Sequence, residues 1–262
     1  MEVHHPHHPT HKKKWNEYFL EFIMLFAAVS LGFLAENIRE RQIEDHRAAE
    51  FVELFKNEVI NNNKQIDSVL KQAVPLLEGN ERLYYGLATT ETDMPLAKLA
   101  DTLNLYVYRF SNDKRIFDQM KNSGSLRYIR DQHLIDMITS YEIEADMAEF
   151  RAFDQETSQW KELWSFMNQH MPSALMLKML INKRLNSIND QNPEVYKLYD
   201  ANKELFAKKL LNKKLDNKIM EQLINYLAHR TSLQKLSIAN YRRVQKRGNA
   251  LIIELEKYIN QH

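Results

Sequence analysis

The chain contains no cysteine, which excludes disulfide staples, thiolate metal sites and thiol catalysis together. Glycine occurs only at Gly32, Gly79, Gly86, Gly124 and Gly248, and proline only at Pro6, Pro9, Pro75, Pro95, Pro172 and Pro193. Strands joined by tight hairpins need such residues at every turn, so their scarcity excludes a meander or sandwich and leaves long helices. An excess of one charge is also missing. The 36 Lys and Arg against 35 Asp and Glu leave a formal net charge of +1, so the basic surplus of a nucleic-acid binder is absent and no nucleic-acid partner is expected. There is no phosphate-cradling glycine loop, no Gly-x-Ser-x-Gly elbow and no His-Glu-x-x-His, and none of His46, His133, His170 and His229 lies three residues after a Glu as helical di-iron sites require. The expectation is an all-α, non-enzymatic protein without a cofactor.

Long hydrophobic runs are scarce as well, and the single one is therefore informative. Residues 15–37 read Trp-Asn-Glu-Tyr-Phe-Leu-Glu-Phe-Ile-Met-Leu-Phe-Ala-Ala-Val-Ser-Leu-Gly-Phe-Leu-Ala-Glu-Asn. Spanning a hydrocarbon core of about 30 Å takes roughly 20 mostly apolar residues, and Trp15 to Ala35 rises about 31 Å as a helix. The uncharged part, Phe22 to Ala35, is too short alone. Glu21 must then lie near one interface, where Trp15 and Tyr18 form an aromatic belt. A cleaved signal peptide has a similar plan, but Phe33 fits a small-residue cleavage site poorly, so an anchor that stays attached is expected. Lys12, Lys13 and Lys14 precede the run and Arg39, Arg41 and Arg47 follow it, which nearly balances the positive-inside score. The cluster pressed against the start of the run favours a cytoplasmic N-terminus. A single-pass protein of the inner (plasma) membrane with a periplasmic body follows. Ala28 and Gly32 form a small-xxx-small pair through which two such helices pack closely.

The anchor divides the chain into three: a disordered leader (1–14), the transmembrane anchor (15–37) and an extramembrane helical bundle (38–262). In the leader, His4, His5, His7, His8 and His11 are half of the ten histidines. At this density imidazoles bind divalent metals without a fold, although a plain polar tail reads the same way. In the body, Ala48, Val52, Phe55, Val59, Asn62, Ile66 and Val69 alternate spacings of four and three. That is a heptad seam, and it carries the helix leaving the membrane to about Pro75. Asn62 at a seam position either fixes register and partner number or marks a bundle edge. A second seam, Leu134, Ile138, Tyr141, Ala145, Ala148 and Ala152, predicts a helix from Asp131 to before Pro172. A third runs Ile219, Leu223, Tyr226, Leu233, Val244, Leu251, Leu255 and Ile259, with Arg230 and Asn240 as polar interruptions. Shorter helices are expected to start near Thr92–Pro95, at Ser111–Asp113 and at Asn192-Pro193. Asn122-Ser123-Gly124-Ser125 predicts a break at 121–125, with Gly124 at a left-handed helix end.

The second helix is acidic and the third basic, which predicts that they pack side by side; a basic face turned to anionic headgroups is the alternative. Glu142, Asp146 and Glu149 share one face of the second helix. With no His beside them, they read as a solvated acidic stripe rather than a metal site.

The segments Trp15-Asn16-Glu17-Tyr18-Phe19-Leu20-Glu21-Phe22 and Gly32-Phe33-Leu34-Ala35-Glu36-Asn37, with Lys121-Asn122-Ser123-Gly124-Ser125-Leu126-Arg127, resemble landmarks of an uncharacterised single-pass membrane-protein family common in Bacteroidota. The resemblance implies one span and a helical body, and it assigns no functional residue. Three readings of function stand. The first is a membrane-anchored protein acting through self-association (homo-oligomer) or an envelope partner, with Ala28, Gly32 and the 48–69 seam as its working parts. The second is a sensory or ligand-binding bundle with a pocket near Tyr106, Tyr108, Trp160 and Trp164 and no output domain of its own. The third is metal handling by the leader histidines.

Overall fold

A computed structural model describes residues 14–89, 94–104, 106–173 and 213–261, together with 175–176, 201–202, 204–205 and 208. The leader histidines at 4, 5, 7, 8 and 11 and the helix start at Asn192-Pro193 lie outside the described residues, as do Thr92 and Asp93. The described chain is all helical: α1 (Trp15–Thr89), α2 (Leu96–Thr102), α3 (Arg115–Ser123), a 3-10 turn (Ser125–Tyr128), α4 (Gln132–His170) and α5 (Asn217–Ile259).

Three long helices carry the fold. α5 packs along both α1 and α4 and runs antiparallel to each. Arg130, just before α4, reaches Glu44 and Asp45 of α1 at the end nearest the apolar segment. At the opposite end Phe166 of α4 meets Tyr226 of α5 with ring centroids 5.1 Å apart. α1 and α4 are therefore parallel, and they meet where Phe55 and Tyr141 pack edge to face at 6.5 Å.

α1 is one continuous helix of 75 residues, and it does not stop at Pro75. That ring removes one backbone donor and crowds the preceding turn, yet Pro75 lies on the exposed side while Leu76, Asn80, Leu83 and Leu87 prolong the buried stripe for three more turns. Burial of those side chains outweighs the local defect. The break at 121–125 is as expected: Gly124 sits at φ 71°, the left-handed conformation that costs glycine nothing, and its N–H bonds back to Met120 and Lys121. Asp131 caps α4, its carboxylate accepting from Leu134 N at 3.2 Å.

The seams are buried inside one chain. Ala48, Val52, Phe55, Val59, Ile66 and Val69 form a core near the apolar segment with Leu134, Ile138, Tyr141, Val244, Leu251 and Leu255. A second core, farther along, joins Leu83 and Leu87 to Leu99, Leu163, Met167, Leu223 and Leu227. Along α5 the buried positions Met220, Leu223, Leu227, Arg230, Gln234, Ser237, Tyr241, Val244, Gly248, Leu251, Leu255 and Tyr258 form an unbroken alternation of three and four, with Thr231 and Ile238 buried beside it. The expected third seam shares only part of this stripe. Tyr226, Leu233 and Ile259 lie at its edge, and Arg230 belongs to it rather than interrupting it.

Candidate functional site

The apolar segment is bare. Phe22, Phe26, Leu31 and Phe33 are each more than 60% exposed, and nothing among the described residues covers them. α1 is the one described helix long and apolar enough to cross a membrane, and its apolar window has no buried share. Ala28 and Gly32 are exposed, and a Cβ built at Gly32 meets nothing within 4 Å, so this small-residue face makes no contact among the described residues. Residues 38–42 then continue as a lone exposed helix before burial begins, and Ala48 is the first fully buried position.

The seam from Ala48 to Val69 has a different position. All seven of its residues are buried by α5, α4 and the segment before α3. It is consumed within the chain, because its apolar stripe finds an equally regular stripe on α5, so a second copy has no access to it. Asn62, at the seam's polar position, grips a loop instead of setting a partner number. Its Nδ2 donates to Asn112 Oδ1 (2.9 Å) and to the Asp113 carbonyl (2.8 Å), and its Oδ1 accepts from Asp113 N (3.1 Å).

That loop, 106–114, lies across α1 and α4 and converts the acidic face of α4 into a receptor. Ser111 Oγ donates to Glu149 Oε1 at 2.8 Å and Asn112 N to Glu149 Oε2 at 3.0 Å. Asn112 Nδ2 donates to Glu142 Oε2 and Asp146 Oδ1, each at 3.0 Å, and Lys114 Nζ pairs with Asp146 Oδ2 at 2.8 Å. Glu142, Asp146 and Glu149 are thus not a solvated stripe. The repeat of 3.6 residues that places them on one face also lets them bind Ser111, Asn112 and Lys114 of the loop. Glu142 is 2% exposed; burial pushes its carboxyl up to about 8, with smaller contributions from Glu58 and Asp146 against the opposing bond from Asn112. At neutral pH it is mostly protonated. From α1, Glu58 caps α3 at long range, accepting from Ile116 N (2.6 Å) and Phe117 N (3.2 Å). Its carboxyl is also raised, with burial as the main cause. α3 begins at Arg115, later than the expected Ser111–Asp113 start, because those three residues are engaged in the loop's own contacts.

Between the two apolar cores lies a polar layer that sequence reasoning missed. Arg230 is 1% exposed. Its Nη2 donates to the Tyr106 carbonyl at 2.6 Å, and its Nη1 reaches Gln159 Oε1 at 3.5 Å. Burial lowers the guanidinium to about 10, opposed by the nearby Glu156 charge. Glu156, also buried, has its carboxyl raised by burial against a bond from Ser237 and the charge of Arg230. Asn80 Nδ2 donates to Gln234 Oε1 at 3.2 Å. Arg230 Nε and Asn80 Oδ1 have no hydrogen-bond partner among the described residues. The adjoining cavity, lined by Tyr108, Glu156, Gln234, Ser237 and Tyr241, measures about 10 Å³, at the threshold for one water. The signal available was the 3-4 spacing, which runs unbroken from Leu227 through Arg230, Gln234 and Ser237 to Tyr241.

Of the four aromatic residues expected to border a ligand pocket, Tyr108 lines the cavity of about 10 Å³, and the rings pair off within their own elements. The Tyr106 and Tyr108 rings lie 4.9 Å apart, and the Trp160 and Trp164 rings stack at 5.5 Å and 9°. Two open grooves lie between α4 and α5. One of about 650 Å³, at the far end, is bordered by Glu162, Phe166, His170, Tyr226 and His229. The other, of about 300 Å³, is bordered by Ile143, Met147, Arg151, Arg243 and Arg247. Acidic α4 and basic α5 are neighbours, and Glu144 is held by both Arg243 and Arg247. Among the described residues no group of three or more His, Asp or Glu is arranged to hold a metal ion. No protein-family model, no curated protein and no solved structure matches the chain.

Proposed function

We propose that the chain is a single-pass inner-membrane protein that acts without catalysis, by self-association or by binding an envelope partner, with its bundle on the periplasmic side. The observation that carries the reading is the continuity of α1. The same helix is apolar and bare over its first turns and becomes the spine of the bundle from Ala48 to Leu87. A helix that rises 1.5 Å per residue without interruption fixes the bundle upright above the bilayer, and a partner bound to the bundle is thereby held at a set height. The buried acids and Arg230 support a non-catalytic reading, because they sit in closed interiors and bond to the chain's own backbone and amides.

The test combines extraction and labelling. Full-length protein in cells is expected to resist carbonate extraction and to retain its intact mass; a mature form beginning after Ala35 overturns the anchor in favour of a cleaved signal sequence. In the cysteine-free background, Lys246→Cys is expected to react with an impermeant maleimide from outside the inner membrane while Thr10→Cys does not. The reverse pattern places the bundle in the cytoplasm.

A further inference from the structure

We propose that the groove between α4 and α5 lined by Arg151, Arg243 and Arg247 is a binding site for a soluble organic phosphate. Two helix faces build it. On α5, Arg243 and Arg247 stand one turn apart, a like-charge spacing that costs a helix stability instead of adding to it. Both reach Glu144 of α4: Arg243 Nε lies 3.5 Å from Glu144 Oε1, and Arg247 Nε pairs with Oε2. The Glu144 side chain is 17% exposed, against 58% and 52% for the two arginines. It holds both guanidinium groups by their Nε edges, which leaves the Nη nitrogens as donors for another anion. Arg151, two turns beyond Glu144 on α4, lines the same groove and has no ion-pair or hydrogen-bond partner among the described residues.

Charge and shape choose the ligand class. Three guanidinium groups against one carboxylate leave the groove with a local charge of +2. Asp154, three residues past Arg151, makes no ion pair with it and does not line the groove. The next acids along the two helices are Glu254, bonded to Lys257 at 2.7 Å, and Glu162, which borders the other groove. A dianion matches this charge, and guanidinium groups bind phosphate oxygens through paired N–H donors. Asn240, one turn before Arg243, adds an amide, and Ser140 a hydroxyl. Ile143 and Met147, 56% and 45% exposed, form an apolar wall on the α4 side, which favours an ester with an apolar group over the free ion. The volume of about 300 Å³ is at the lower end of small-molecule sites and suits a single-ring ester, not a diacyl lipid. The phosphates of the bilayer are also out of reach. Glu44 of α1 stands level with Arg130, so Ser140 to Arg151 lie about 15–31 Å above it, and Glu44 is itself about 13 Å above Ala35. With α1 anchored as proposed, a headgroup layer about 5–8 Å thick ends well below the groove.

Phenyl phosphate is the probe, titrated calorimetrically into full-length protein in a non-ionic detergent at low salt and about pH 7.5, where a monoester is mostly dianionic. Saturable binding of one equivalent with Kd below about 1 mM is expected. Arg151→Gln and Arg243→Gln, both at exposed positions, are each expected to weaken it about tenfold while melting as the parent does. Met147→Gln is expected to weaken phenyl phosphate several-fold and to leave inorganic phosphate unchanged. The proposal is overturned if the isotherm does not saturate, if both arginine variants bind as the parent does, or if inorganic phosphate binds as tightly as the ester. Equal affinity in nanodiscs of neutral phosphatidylcholine and of anionic phosphatidylglycerol is expected. Loss of binding in the anionic discs would give the groove to lipid headgroups and overturn the assignment to a soluble ligand. The detergent titration does not depend on the anchor, so its failure leaves the membrane-anchored reading intact.

Discussion

Replacing Glu142 with Gln isolates one buried carboxyl and separates its charge from its shape. In the folded protein Glu142 is raised from 4.5 to about 8, so between those values the folded state holds a proton that the unfolded state has released. Stability from this group is then fully present below about pH 4.5, falls as pH rises, and is exhausted above about pH 8. At about 1.4 kcal/mol per pH interval of one, the cost of ionising it in place approaches 4–5 kcal/mol. Relaxation of the loop would reduce that to about 2–4 kcal/mol. Glu142→Gln keeps the volume and the acceptor for Asn112 Nδ2, now 3.0 Å from Glu142 Oε2, but cannot ionise. The variant is expected to match the parent near pH 5 and to exceed it near pH 9, by about 5–15 °C in Tm for a chain of this size. Thermal melts of the full-length protein in one detergent, followed by far-ultraviolet circular dichroism at pH 5, 7 and 9, measure the difference. Comparing the two proteins at each pH cancels the contributions of titrating groups that do not interact with Glu142. A Tm difference that is the same at pH 5 and pH 9 would refute the reasoning.

Other substitutions probe the packing. Gly248 lies where a Cβ would come within 2.6 Å of Asn63 Oδ1, and Asn63 Nδ2 donates to Asn249 Oδ1 at 2.9 Å. Gly248→Ala is expected to cost about 1 kcal/mol despite its better helix propensity, and the cost should vanish in an Asn63→Ala background, as a double-mutant cycle of melts would show. Arg230→Ala leaves the Tyr106 carbonyl without its donor and buried Glu156 without the nearby Arg230 charge and is expected to cost about 3–5 kcal/mol, whereas Arg230→Met with Glu156→Leu should recover most of that loss in denaturant titrations. Glu58→Ala removes two bonds at the start of α3 and should cost about 1–2 kcal/mol; no effect on the melt would argue against the long-range cap. Pro75→Ala, on the exposed side of α1, should raise Tm by restoring a backbone bond worth about 1–3 kcal/mol.

How much was legible depended on whether a residue's role is set by its neighbours in sequence or by those across the bundle. Local signals read well. The scarcity of Gly and Pro dictates helices, Gly124 ends α3 because only its backbone takes φ 71° freely, and Asp131 caps α4 where a short acceptor precedes an apolar repeat. The stripe from Ala48 to Val69 follows from its 3-4 spacing, and the exposure of residues 15–38 follows from an apolar run that no comparable run in the chain could cover. Pro75 misled because its cost is local, while the burial of Leu76, Leu83 and Leu87 that outweighs it comes from α5. The seam's partner could not be read either: a heptad states that a stripe will be covered, and here an antiparallel helix more than 150 residues away covers it. Glu142 and Arg230 were misjudged for the same reason. Charge on a helix is solvated by default, and only the arrival of the 106–114 loop and of the Tyr106 carbonyl turned these two positions into interior ones. The sequence alone thus determined helix, apolar segment and stripe, which rest on local sterics and hydrophobic periodicity. The tertiary structure decided which stripe is spent within the chain, which polar groups are desolvated, and which apolar face of α4 remains outside, because each depends on what long-range packing brings against it.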